Sequence, residues 1–265
     1  MIKNSILAKY IEVAGQVHSA ELTQQAASAF ESMCHQLHAK LQECDDCKVE
    51  KIQSTLDFFY FQQIFSLPNV SSGAQYYNLL QGLITHTAAP PVLAVILSDL
   101  FSSAGITSTP MISKDHVLLK IKVEEQQYVF IDVASGRSLD LPEVDSILQV
   151  KGKKSAVQGS KALKRNEDEF ANDYIVLLML SIYKTALIEN ADYEKALRAV
   201  DMLIQQEPDN PYERRDRGFL LQQLNCEWCA VEDLKFFVEQ CPTDPLAQLI
   251  QLQLENIPNN IQPIH

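Results

Sequence analysis

The chain has 265 residues, 46% hydrophobic and 21% charged, an ordinary globular balance that excludes a disordered or collagen-like protein. At this length folding can bury about 73% of the unfolded surface without a disulfide or metal staple, and the longest apolar runs, Val92–Leu97 and Ile175–Leu180, fall far short of the roughly 20 residues of a membrane span. A net charge of −12 repels a phosphate backbone, whose binding needs several cationic contacts, so nucleic acid is not expected as a partner.

The start, MIKNSILAKYIEVAG, has no sustained apolar run and no small-residue cleavage pattern, so no export signal is expected and the protein is read as soluble and cytoplasmic. Leu22, Ala26, Phe30, Met33, Leu37 and Leu41 recur every three or four residues and predict one face of an amphipathic helix. After the turn-like ECDDC a second helix is predicted over 49–65, with Phe58, Phe59, Tyr60 and Phe61 anchoring the core. SLPNVSSGA reads as loop from its Pro, Asn, Ser and Gly. Pro90 and Pro91 then open a helix that Gly105 closes, the usual asymmetry of helix ends. Its run VLAVIL is apolar on every side, which predicts burial.

Beyond it the period shortens. HVLLKIKV (116–123) and YVFIDV (128–133), separated by EEQQ, read as a β-hairpin. Val117, Leu119, Ile121 and Val123 share one face; His116, Leu118, Lys120 and Lys122 share the other. With the turn centred near Glu125, His116 and Asp132 lie opposite or one step diagonal on that second face.

Residues 151–165, KGKKSAVQGSKALKR, carry 6 basic and no acidic groups between an N-terminal stretch of net −7 and a C-terminal one of net −11. With no aromatic residue for base stacking, the segment reads as a solvated linker, placed at 151–166. The last hundred residues repeat with a period of 34: Ala196, Val200, Leu203 and Pro208 match Ala230, Leu234, Phe237 and Pro242 without a gap. Small residues at helix crossings, apolar spacing of three to four and a terminal proline are the requirements of a tetratricopeptide helix pair. Repeats are assigned at 177–210 and 211–244, with Leu246–Glu255 as a cap. Two copies bury too little alone, so packing on the N-terminal body or the cap is expected to complete them.

DNPYERRDRGFLLQQLNCEWCAVEDLKFFVEQCPTDP, above all RDRG at Arg215–Gly218 and the stretch from Asp233 to Pro242, resembles the tail of the SirB-type family of bacterial proteins; Tyr76 to Gly136 resembles the same family more loosely. The resemblance implies an α+β chain: a helical region and transglutaminase-like (papain-like) core over 1–150, then an all-α tetratricopeptide-like tail over 167–265. Enzymes with that core use a Cys at a helix N-terminus, where the dipole lowers the thiol pKa, a strand His that moves the proton and an Asp that orients it. Carried over, the His falls on His116, the Asp on Asp132 and the Cys on Pro90, judged by Ala94 one helical turn on. Proline cannot attack a carbonyl, and the nearest hydroxyls, Thr87 and Ser98, lie before the helix and two turns into it. Members of the family commonly lack this cysteine, so the resemblance implies a pseudoenzyme in which His116 and Asp132 are vestigial and no catalytic set is complete.

On the first helix of the second repeat, groove positions 2, 5, 9, 12 and 13 fall on Tyr212, Arg215, Phe219, Gln222 and Gln223. Arg215 there can clamp a partner carboxylate. The blander reading of RRDRG is an interdomain ion network, in which Arg214, Asp216 and Arg217 dock the tail on the N-terminal body. The six cysteines include two C-x-x-C pairs, Cys44/Cys47 and Cys226/Cys229. Reduced thiols are expected; a shared zinc site is disfavoured because 178 residues separate the pairs, and neither follows a strand as a thioredoxin motif would. Phosphate-loop, zinc-protease and hydrolase-elbow motifs are absent. The expected function is therefore a non-catalytic protein-interaction or regulatory module holding a protein or peptide partner, with no cofactor or metal and no oligomeric state assigned. The alternatives are a cysteine-independent hydrolase or amidase using His116 and Asp132, and a thiol or zinc sensor using the cysteine pairs.

Overall fold

Ala26, Phe30, Met33 and Leu37 are buried along one side of α2 (Ala20–Leu41), as their spacing requires; Leu22 and Leu41 near its ends are half-buried. The computed structural model describes residues 5–44, 47–69, 73–113, 116–149 and 167–255. The expected linker at 151–166 lies outside them. The chain divides into two units, Met1–Met179 and Leu180–His265.

In the first unit α1 (Ile6–Ala14), α2, α3 (Lys48–Asp57), α4 (Leu79–Thr85) and α5 (Pro90–Ser103) precede β1 (Ser108–Ile112), β2 (Val117–Lys122), β3 (Tyr128–Asp132) and β4 (Arg137–Leu139), and α6 (Leu141–Gln149) follows. The strands form one antiparallel sheet in chain order. This is the α+β class the sequence predicts. Every residue of α5 from Val92 to Phe101 is buried. A helix apolar all round must be covered on all sides, and α1, α4, β1 and β2 supply the cover.

Asp99, the acidic residue within that helix, is buried and accepts the backbone N–H groups of Ile6 (2.9 Å) and Leu7 (2.7 Å). It thus satisfies two of the orphan donors at the start of α1, beside Ser5, which caps through the N–H of Ala8.

The hairpin of β2 and β3 pairs Leu118 with Asp132 and Lys122 with Tyr128, centring its turn on Glu125. His116 lies one residue before β2. Two strands are additional to that hairpin: β1, which carries Pro110 on a sheet edge where a missing N–H is tolerated, and the short β4. Helix α6 opens on a reciprocal capping box, Asp140 N–H to Glu143 Oε2 at 2.9 Å and Glu143 N–H to Asp140 Oδ1 at 2.8 Å. The expected core role of the aromatic run is corrected at Phe61. Four successive residues cannot share one side of a helix, and where α3 passes into a π-turn over Phe58–Gln62, Phe58 and Phe59 are buried while Phe61 is 77% exposed.

The tail consists of α7 (Glu167–Glu189), within which the division between units falls, α8 (Tyr193–Gln206), α9 (Pro211–Gln223), α10 (Glu227–Gln240) and α11 (Pro245–Glu255). The 34-residue offset extends to the backbone: α8 and α10 start and end 34 apart, and Ala191 (φ 57°) stands before one as Asn225 (φ 60°) does before the other. Ala196, Val200 and Leu203, and likewise Ala230, Leu234 and Phe237, are buried. A Cβ on Gly218 would lie 2.7 Å from the Leu234 side chain, so α9 and α10 cross where only a hydrogen fits. The expectation of reduced thiols is corrected at Cys226 and Cys229, which are joined as a disulfide. The first turn of α10 brings their Cα atoms to 5.4 Å, within the range a disulfide spans.

Burial raises the Asp99 carboxyl to about 6, against the two backbone N–H groups that lower it. Its contribution to stability is therefore full below its unfolded value near 4 and is lost as pH rises through about 6. In urea unfolding of wild type against Asp99→Asn, the difference should shift in favour of wild type by about 2 kcal/mol from pH 7 to pH 4. A difference that stays flat with pH would contradict this reading.

Candidate functional site

The carried-over triad begins at the first turn of α5. Ala89 is the N-cap, with Pro90 and Pro91 in the first two helical positions. Ala89 donates its N–H to the Tyr76 carbonyl at 2.8 Å, and Val92 and Leu93 donate theirs to the Ala89 carbonyl at 3.0 and 3.1 Å. The two prolines have no N–H. The helix start therefore offers neither a side-chain nucleophile nor, among these five residues, an uncommitted N–H for a developing oxyanion.

The chain reverses between α5 and β1, with Gly105 at φ 73°, and the Ser98 and Ser108 hydroxyls meet at 3.0 Å. From that contact Pro90 lies eight residues back along the helix, about 12 Å, and Ile112, the partner of Val117, four residues on along the strand, about 13 Å. His116, one residue before β2, and Asp132, paired with Leu118, fall at the same end of the sheet.

The two polar members do not join there. His116 is exposed; its N–H donates to Ser113 Oγ at 3.2 Å and its carbonyl accepts from Ser113 N at 2.9 Å, which shapes the β1–β2 turn. Asp132 accepts from the Ala134 N–H at 3.2 Å and the Ser135 hydroxyl at 2.6 Å, so its carboxylate organises the β3–β4 turn. Among the described residues no hydrogen bond links the His116 and Asp132 side chains. Burial and then the Asp132 charge push up the pKa of the nearby Tyr60 phenol, whose hydroxyl donates to the Val133 carbonyl at 2.9 Å. Two cavities of about 350 and 330 Å³ open in this unit, one beside Ser98, Asp99 and Thr107, the other between Tyr60, Phe61 and Ser138. Neither is lined by Pro90, His116 or Asp132.

In the tail the RRDRG residues form a network across four helices. Lys184, buried on α7, donates to Glu213 Oε2 and Asp216 Oδ2, each at 2.7 Å. Arg215 holds Asp216 Oδ1 through Nε (3.1 Å) and Nη2 (2.7 Å). Asp233 on α10, 2% exposed, accepts from Arg217 Nε and Nη2 and from Arg214 Nη1. Arg217 also reaches Asp201 on α8 at 3.2 Å, and the two carboxylates, Asp233 foremost, raise its pKa above the ordinary arginine range. Four cations thus face four carboxylates. The interdomain role expected of Arg214, Asp216 and Arg217 is corrected, since their ion-pair partners are residues of the tail itself. They lie on the sides of α9 that pack against neighbouring tail helices, where an unpaired charge would be costly.

Of the expected groove residues, Tyr212 is 48% exposed and meets Phe237 edge-on at 5.8 Å. The Arg215 guanidinium lies 5.3 Å from the Tyr212 ring and 5.4 Å from that of Phe237, within cation–π range. Gln222 is half-buried and Gln223 exposed. Phe219 is packed against the cluster of Ala230, Leu234, Phe237, Ala247 and Ile250 and so belongs to the core of the tail. The sequence reading missed Lys184 and Asp233; their signal was a charged residue on the apolar side of a repeat helix, interpretable only once its partners were placed.

A transglutaminase-like superfamily model matches residues 19–169 and a tetratricopeptide repeat model matches 184–255. The chain belongs to the transglutaminase-like superfamily. Its relatives carry the SirB-type description: it is 32% identical over 173 residues to Protein SirB1 of Salmonella typhimurium and 33% identical over 173 residues to UPF0162 protein YchA of Escherichia coli. Each of these matches covers 65% of this chain and 63% of the relative, which is less than two thirds of the relative's length. A UPF0162 protein of Buchnera aphidicola is 28% identical over 221 residues, 81% of this chain and 79% of that protein. No solved structure matches the chain.

Asp233→Ala strands Arg217 and Arg214 beside a buried gap and is expected to cost about 3 kcal/mol in urea unfolding. An Asp233→Leu/Arg217→Met pair should recover part of that loss. Full stability in the single variant would mean that the network does not hold the tail helices together.

Proposed function

We propose that the chain is a non-catalytic interaction or regulatory module, in which a transglutaminase-like core without its nucleophile carries a tetratricopeptide tail that holds a peptide segment. The observation that supports this reading is the first turn of α5: Pro90, onto which the resemblance carries the cysteine position, has no reactive side chain, and the neighbouring N–H groups are already committed. The Asp132 carboxylate, tied to the β3–β4 turn, also argues against its orienting His116 for water activation. Tetratricopeptide repeats commonly serve protein–protein interaction, and the Tyr212 ring with Arg215 beside it provides an aromatic face next to a cation. That chemistry suits a peptide bearing an exposed carboxylate. Among the described residues no helix is long and apolar enough to cross a membrane, and we assign the module to the cytoplasm, where the free thiols of Cys34, Cys44, Cys47 and Cys241 are chemically at home.

The test is a screen of the purified chain against peptides with free or amidated C-termini. Binding without turnover is expected. Amidation and Arg215→Ala should each weaken it about tenfold, close to 1.4 kcal/mol. Amide hydrolysis or transfer that disappears in His116→Ala, with the fold intact, would establish the hydrolase reading instead.

A further inference from the structure

The N-terminus of α10 is the second copy of a feature in the first repeat. At α8 the N-cap Asp192 accepts the N–H of Lys195, three residues on, and its carboxylate pairs with the Lys195 ammonium at 2.7 Å. The equivalent positions of α10, 34 residues later, are Cys226 and Cys229. Cys226 is likewise the N-cap but makes no side-chain capping hydrogen bond; its sulfur is bonded to that of Cys229. Both repeats therefore tie the N-cap to the third helical residue, one through an ion pair and the other through sulfur. Only the second tie responds to redox conditions.

We propose that Cys226 and Cys229 form a reversible dithiol–disulfide site that exchanges with low-molecular-weight thiols of the glutathione class and switches the cap of α10 between a covalent and a hydrogen-bonded form. This inference stands apart from the peptide-binding reading. Cys229 is exposed and Cys226 half-buried, so an incoming thiolate reaches the Cys229 sulfur. It forms a mixed disulfide there as the bond between the two protein sulfurs breaks, and the electron pair leaves on Cys226. A thiolate at an N-cap is stabilised by the first-turn N–H groups and the helix dipole, which makes Cys226 the better leaving group. A second thiol attacks the small-molecule sulfur of the mixed disulfide, freeing Cys229 and releasing the oxidised small molecule. The balance is one protein disulfide and two thiols in, two protein thiols and one small disulfide out. A loop this short adds little to global stability, so the tail remains folded in both states.

Trp228, between the two cysteines and 50% exposed, is the sole tryptophan of the chain and reports on the pair directly. The full chain is equilibrated with glutathione at graded ratios, quenched by alkylation and read by peptide mass, with Trp228 fluorescence followed in parallel. Cys226 and Cys229 should become alkylated together, passing from nine-tenths oxidised to nine-tenths reduced over about a hundredfold change in [GSH]²/[GSSG], the span of one two-electron couple. The fluorescence should follow the same curve. Cys44→Ser/Cys47→Ser should leave both curves unchanged, and Cys226→Asp, which copies the first repeat, should fold and abolish them. Three results would overturn the proposal: alkylation of the two thiols independently of each other at every ratio, a disulfide that survives excess reduced glutathione in the folded chain, or a transition that vanishes with Cys44 and Cys47.

Discussion

Covering α5 is the constraint around which the first unit is organised. A helix whose residues from Val92 to Phe101 are all buried cannot stand at a surface, so α1, α4 and two strands pack against it. The one carboxylate it carries into the interior, Asp99, is tolerated because two backbone N–H groups of α1 meet it. The same packing sets the position of the helix start. Pro90 and Pro91 occupy its first two positions, and His116 and the end of β3 share one end of the sheet. Pro90 has no reactive side chain, and neither proline has an N–H to donate.

The tail rests on a different kind of interaction. Its repeat helices bury apolar residues such as Ala196, Val200, Ala230 and Leu234, but between them runs a charge network from Lys184 to Asp233 in which cations and carboxylates balance. Removing one member of such a set leaves its partner desolvated, so each residue is held by the others more than by its own contribution. Arg215 belongs to this network through Asp216 and at the same time lies against the half-exposed Tyr212. The candidate binding face is in that way built on a rigid support.

Much of this was legible in the residues. The periodicity of Ala26, Phe30, Met33 and Leu37, the apolar run of α5 between its prolines and Gly105, the hairpin register about Glu125 and the 34-residue offset all depend on local pattern, and all four are found in the fold. What escaped was either short or dependent on partners. Strand β4 has three residues and carries no period of its own; β1 contains a proline that argues against a strand unless the strand is known to lie at an edge. Phe61 was read as core because aromatic character alone does not say which side of a helix it faces. The roles of Arg214, Asp216 and Arg217 were misassigned because sequence spacing gives the face of a helix but not the neighbour that covers it. Asp132 lies on the expected face, yet its carboxylate is taken up by Ala134 and Ser135, a local competition that pattern does not weigh.

The tie between Asp99 and the start of α1 joins residues 93 and 92 positions apart. Closing so long a loop costs chain entropy that is recovered only after α5 and its neighbours have assembled. Docking of α1 offsets that cost by burying Ile6, Leu7 and Tyr10 and by placing two of its backbone N–H groups on Asp99.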